Sequence, residues 1–294
     1  MSLRKQLQGT GVALITPFTA DLKVDFDALG KVIDFLIDGG VEYLVTLGTT
    51  GETPTLDKQE KLDIAHYTTG KIAGRVPLVV GIGGNNTAEI LKDLEKYPLD
   101  KAIAVLSASP SYNKPSQEGI FQHYKAIAEA SPKPVLLYNV PGRTGRNMSA
   151  ATTLRLAQEV PNIAGMKEAS GDFAQCMEIL RDMPEDFLLV SGDDAIAMPL
   201  IACGMTGVIS VAANAFPRQF SDMIRLSLKA DFAGAKKLND TLMEAYDLMF
   251  VENNPSGVKA FMAEMGLIKN EVRLPVVPLS DAVHDKVKRY LSKK

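Results

Sequence analysis

With 294 residues, 46% of them hydrophobic, the chain can bury a large core as one big domain or two ordinary ones. Its formal charge of −3 offers no footprint for nucleic acid or an anionic membrane, and no segment approaches the ~20 apolar residues of a membrane span. Cys176 and Cys203 make no disulfide framework and lack metal-ligand spacing, and the apolar stretch 12–15 is no signal peptide, so a soluble, cytoplasmic protein is expected.

The first apolar run, VALIT from Val12, leads to a segment, 26–36, that puts Leu29, Val32, Ile33 and Leu36 on one helical face. Gly39 and Gly40 stop that helix. A second run, YLVTLG from Tyr43, precedes a helix over 56–69, with Thr55 as the expected N-cap and Asp57 in its first turn. Further runs start at Leu78, Ala102, Val135, Ile163, Phe187 and Thr206, with helical spacing between most of them. Ser149 or Thr152 opens the helix that ends at Glu159.

Each run holds about 5–7 residues of nearly unbroken apolar character, which is how a strand covered on both faces reads, so the sheet should be parallel. Eight such strands alternating with helices give the count of a (β/α)8 TIM barrel. An open doubly wound sheet is the alternative, because pattern alone does not show closure. From Pro217 the pattern is helical, over 223–228, 232–250, 257–265 and 280–291, with no Gly/Ser linker before it. The expected organisation is a catalytic barrel over 1–222 and a C-terminal helical extension, 223–294, packed onto it.

In such a barrel the reacting groups come from the C-terminal ends of the strands and the loops after them. Strand six ends in Lys167. A lysine delivered there is partly desolvated, which penalises the ammonium and favours an amine that attacks carbonyls; otherwise it is a solvated lysine at a strand end. Strand two ends in Gly48-Thr49-Thr50-Gly51-Glu52, either a cradle of backbone N–H groups and hydroxyls for an anion or a turn with Thr49 and Glu52 at capping-box spacing.

Tyr138, ending strand five, lies one strand from Lys167 and either shuttles protons or anchors its strand. Arg143, in Pro141-Gly142-Arg143-Thr144-Gly145, either clamps a carboxylate or lies on the surface. Asp193 and Asp194 read as a helix N-cap in preference to a divalent-metal site. His66, His123 and His284 have no metal spacing and receive no role.

Gly48-Thr49-Thr50-Gly51-Glu52, Tyr112-Asn113-Lys114-Pro115, Tyr138-Asn139-Val140-Pro141 with Arg143-Thr144-Gly145, and Gly165-Met166-Lys167-Glu168-Ala169 occur in the order and spacing of one family. From about Gly9 to its end the chain resembles the 4-hydroxy-tetrahydrodipicolinate synthase (dihydrodipicolinate synthase) family, within the pyruvate-dependent class I aldolase superfamily. The resemblance implies that Lys167 is the Schiff-base lysine and Tyr138 the proton donor and acceptor. Thr49 and Tyr112 would complete a proton relay, Tyr112 reaching in from the neighbouring subunit. Thr50 and the backbone at Ile209 would hold pyruvate, and Arg143 the carboxylate of L-aspartate-4-semialdehyde. A homotetramer of tight dimers is implied, and no metal or organic cofactor.

The sequence departs from the family pattern at Ser111, where many relatives carry a second aromatic, and at Lys58 and Lys61, where lysine-inhibited relatives often carry histidines. Asn85 and Glu89 match the effector pocket of those relatives. A cationic effector would meet extra positive charge here and lose an aromatic wall. Two other functions compete: a sister pyruvate lyase acting on N-acetylneuraminate or a 2-keto-3-deoxy sugar acid, and a barrel that only senses keto acids. Thr49-Thr50 and Arg143-Thr144-Gly145 favour the synthase, and the complete set of catalytic side chains favours an enzyme.

Overall fold

The computed structural model describes residues 2–293. Eight strands run β1 Gly9–Ala13, β2 Tyr43–Thr46, β3 Leu78–Gly81, β4 Ala104–Ala108, β5 Val135–Asn139, β6 Ile163–Glu168, β7 Leu188–Ser191 and β8 Gly207–Ser210. All pair in parallel and in chain order, and β8 returns to β1 with Gly11 opposite Ile209. The sheet is closed, so the open doubly wound alternative falls.

Side chains alternate across the sheet, and both sides are apolar. Tyr43 and Val45 of β2, Leu136 and Tyr138 of β5, and Leu188 and Val190 of β7 fill the barrel. Leu44, Leu137 and Leu189 between them pack outward against the helices. Double coverage is why each strand reads as a continuous apolar run.

Helices Phe26–Asp38, Lys58–Ile72, Thr87–Lys96, Gln117–Ala130, Ala150–Glu159 and Phe173–Asp182 follow the first six strands. Asp25, Asp57, Asn86, Ser116, Ser149 and Asp172 cap them, each accepting a backbone N–H of the first turn. Such caps contribute ~1 kcal/mol apiece. The second helix is thus capped by Asp57 and not by Thr55. Asp57 accepts from the Glu60 N–H while the Glu60 carboxylate takes the Asp57 N–H. The Thr55 hydroxyl instead donates to the Glu52 carbonyl within the 3-10 turn Thr53–Thr55.

The tail consists of helices Pro217–Leu228, Phe232–Phe250, Ser256–Glu264 and Asp281–Leu291. The first begins with proline in its first turn, where a missing N–H costs nothing, and runs through residues 222 and 223. Phe216, just past β8, meets Phe261 at 5.6 Å and Tyr290 at 5.9 Å between ring centroids, both edge-to-face. One apolar cluster therefore runs from the outer barrel wall into the tail.

Candidate active site

Tyr138 and Lys167 are opposed rungs of β5 and β6, both pointing into the barrel mouth. The Lys167 Nζ lies 4.4 Å from the centroid of the Tyr138 ring. Only 5% of Lys167 and 6% of Tyr138 is exposed. Among the described residues no hydrogen bond or ion pair holds the Lys167 ammonium; the ring face is its neighbour. Space for the side chain comes from Gly192, at the end of β7, where an added Cβ would lie 2.9 Å from Lys167 Cε.

The next rung, Asn139 opposite Glu168, faces outward. Glu168 is buried and accepts from Asn139 Nδ2 at 3.0 Å, the Ser170 N–H at 2.6 Å and Gln175 Nε2 at 3.1 Å. Asn139 Oδ1 in turn accepts the Met148 N–H at 3.0 Å. This network ties the ends of β5 and β6 together directly behind the Tyr138–Lys167 pair. Glu168 adjoins Lys167 in sequence, yet strand alternation puts the two on opposite faces.

A cavity of about 160 Å³ opens above the lysine, lined among others by Thr49, Thr50, Tyr138, Arg143, Lys167 and Asn254. A second, of about 150 Å³, lies across Thr49 and Tyr138, which border both. Thr49–Gly51 forms a 3-10 turn with Thr50 buried, its Oγ1 accepting from Asn254 Nδ2 at 3.1 Å. Arg143 is exposed on the rim, with its guanidinium 3.5 Å from the Asn254 carbonyl. Five expected site residues (Lys167, Tyr138, Thr49, Thr50 and Arg143) thus surround one space.

Two do not. Ile209 lies in the barrel-interior cluster, and Val211, two residues on, borders the cavity. Tyr112 is 91% exposed, at φ +67°, and lines neither cavity. Among the described residues no group of three or more His, Cys, Asp or Glu side chains could hold a metal ion. A donor set of lysine, phenol, hydroxyls and guanidinium suits instead a small keto acid that carries a carboxylate.

A sequence model of the dihydrodipicolinate synthetase family matches residues 6–294. This chain belongs to that family. The 4-hydroxy-tetrahydrodipicolinate synthase of Phocaeicola vulgatus is 50% identical over 290 residues, 99% of this chain and 98% of its own. The enzyme of the same name from Parabacteroides distasonis is 49% identical over 285 residues, covering 97% and 96% of the two chains. A crystal structure of the chloride-inhibited dihydrodipicolinate synthase from Acinetobacter baumannii, complexed with pyruvate, superposes with a TM-score of 0.94 at 38% identity. That match covers 97% of this chain and 98% of the other.

Several features of this family member escape sequence reasoning. Thr49 and Glu52 form no capping box: the turn has no side-chain cap, and Glu52 reaches away to pair with Lys259. Asp194 does not cap its own helix Ala197–Ala202. It is buried and accepts from the Val211 and Ala212 N–H groups at 3.0 and 2.7 Å, holding the turn after β8 from the neighbouring strand. Burial pushes its carboxyl up to about 6 against those hydrogen bonds.

Burial likewise draws Lys259 down to about 8, more than Glu52 restores, and His123, packed beside Tyr124, to about 4. Lys58 sits 3.3 Å from Glu89, which Lys92 also meets at 2.9 Å. Ser111 donates through its backbone N–H to Asn85 Oδ1 at 2.8 Å. Among the described residues no helix is long and apolar enough to cross a membrane.

Proposed function

We propose that the chain is a 4-hydroxy-tetrahydrodipicolinate synthase, condensing pyruvate with L-aspartate-4-semialdehyde through an imine on Lys167 in the diaminopimelate route to lysine. The observation that carries this reading is the Lys167 Nζ, buried against the Tyr138 ring with no polar partner among the described residues and facing a cavity that Thr49, Thr50 and Arg143 also line. The synthases at about half identity and the fold shared with a pyruvate-complexed relative support it.

The Lys167 amine adds to the C2 carbonyl of pyruvate, and loss of water leaves an iminium. That cation draws electrons from the methyl group, so a C3 proton departs and an enamine forms. Tyr138 gives and takes these protons, with Thr49 beside it bordering the same two cavities. Enamine C3 attacks the aldehyde carbon of the semialdehyde, whose carboxylate Arg143 receives at the rim. The substrate's amine then adds to the imine carbon, displaces Lys167 and closes the ring.

Tyr112 completes the relay in this reading by entering the site of a second copy, within a homotetramer of tight dimers. Its 91% exposure in the single chain supports that placement. L-lysine is a weak effector in the same reading, because Lys58 and Lys92 already occupy the Glu89 carboxylate. A sugar-acid lyase is not favoured, since Thr49-Thr50 and Arg143 remain as the synthase reaction needs them.

Incubation with pyruvate and borohydride, followed by peptide mass spectrometry, tests the chemistry directly. The expected result is a reduced pyruvyl adduct on Lys167, with turnover when the semialdehyde is supplied. Turnover only with a sugar acid, or an adduct elsewhere, would sink the assignment.

A further inference from the structure

Lys259 and Glu52 form the only ion pair among the described residues with both side chains essentially inaccessible, at 0% and 1% exposure. Lys259 comes from the tail helix Ser256–Glu264, and Glu52 directly follows the Thr49–Gly51 turn. The lysine also donates to the Glu271 carbonyl at 2.9 Å and lies 4.1 Å over the Phe18 ring. The second oxygen of Glu52 accepts the Arg273 N–H at 3.0 Å. Glu52 adopts φ +54°, a left-handed conformation that side chains other than glycine enter only when their surroundings hold them there.

Two further bonds converge on the same turn. Asn254, also from the tail, donates to Thr50 Oγ1 at 3.1 Å, and Thr16 donates to the Gly51 carbonyl at 2.8 Å. A buried ion pair returns little net stability, because desolvation cancels most of the attraction, but it tolerates only one geometry. An apolar pair of similar volume would have joined tail and barrel at lower cost. What the charges add is direction, and they add it one residue from the turn that lines the lysine cavity.

We infer that Lys259 and Glu52 are positioning residues, a clasp through which the C-terminal helices set where Thr50 stands in the lysine cavity. The inference rests on the reading that the keto acid lies against this turn. The helical tail is then part of the active-site architecture, acting through Glu52 without touching substrate.

The test is the double variant Glu52→Met/Lys259→Met, which keeps volume and removes both charges, with Glu52→Gln as a milder change. Hydrogen exchange at the amides of residues 49–52 reports the turn whether or not pyruvate is the ligand. The double variant should lose protection there by about tenfold or more while the strand amides of β5 and β6 keep theirs. The pyruvate KM should rise about tenfold in the double variant and about threefold in Glu52→Gln, with kcat and the semialdehyde KM changing less.

A folded double variant with parental exchange and parental pyruvate KM overturns the inference. If the double variant does not fold, Glu52→Gln decides: a parental pyruvate KM and parental exchange overturn it equally. Parent protein that traps no pyruvate on Lys167 would bring down the functional reading and the KM half of this inference, while the exchange result still judges the clasp.

Discussion

The two tyrosines expected to move protons differ in almost every physical respect. Tyr138 stands on a buried strand, its ring against Lys167, with the Asn139–Glu168 rung bracing the strand ends behind it. Tyr112 stands on a loop with its ring in open solvent, although its backbone is far from slack. It holds φ +67°, and Asn85 pins the neighbouring Ser111 N–H. A bulky residue enters that conformation only where its surroundings hold it there. The closed barrel holds nucleophile and phenol in register; in the proposed reading the outer tyrosine acts only beside a second copy.

The largest expected effect falls on the buried side of this contrast. Tyr138→Phe should slow turnover by ~10²–10⁴-fold with little change in stability, because one hydroxyl is lost and the ring remains. Single-turnover trapping with borohydride locates the defect in imine formation. Near-normal rates would reduce Tyr138 to a packing residue.

Mixing chains separates the outer tyrosine from the inner one. Lys167→Ala and Tyr112→Phe should each be severely impaired alone. Unfolded together and refolded, they should recover up to about a quarter of parental activity if Tyr112 serves the partner's site, since a mixed two-fold dimer then carries one intact site. Were Tyr112 to act within its own chain, no mixed dimer would hold an intact site, and the mixture would stay as inactive as its parts.

A smaller effect probes the brace. Asn139→Ala deprives both the Met148 N–H and the Glu168 carboxylate of a partner. Leaving buried groups unsatisfied costs ~1–3 kcal/mol, read as a lowered Tm, together with reduced kcat as the Tyr138–Lys167 rung loosens. Unchanged stability and rate would show that the strand ends need no such support.

The barrel and most of the pocket were legible in the sequence for the reason that makes the buried side rigid. Strands covered on both faces write themselves as apolar runs, and Lys167 and Tyr138 interrupt those runs where a strand leaves the core. Closure was not legible, because the β8–β1 pairing joins the two ends of the pattern. The Glu52–Lys259 pair was missed because Glu52 reads locally, at capping-box spacing from Thr49, while its meeting with Lys259 depends on how the tail folds back. Asp194 was misread for a related reason. Local spacing suggested a cap on its own helix, whereas its partners lie beyond the next strand.

Asp194 yields the last and smallest prediction, and it sharpens the contrast between interior and surface. Its folded carboxyl titrates at about 6 against an ordinary 3.8, burial being the main cause. Between those values the folded state binds more protons than the unfolded one, so this group's contribution to stability falls as pH rises from about 4 to 6. Exposed Glu89 behaves oppositely: hydrogen bonds from Lys92 and Lys58 lower its carboxyl, so its contribution is lost on acidification. Asp194→Asn keeps an acceptor for the Val211 and Ala212 N–H groups and cannot ionise. Denaturant melts should therefore show the variant gaining on the parent as pH rises through this window, by ~3 kcal/mol at most above pH 6, and converging with it near pH 4. A difference independent of pH would mean that Asp194 is not the buried titrating group its surroundings make it.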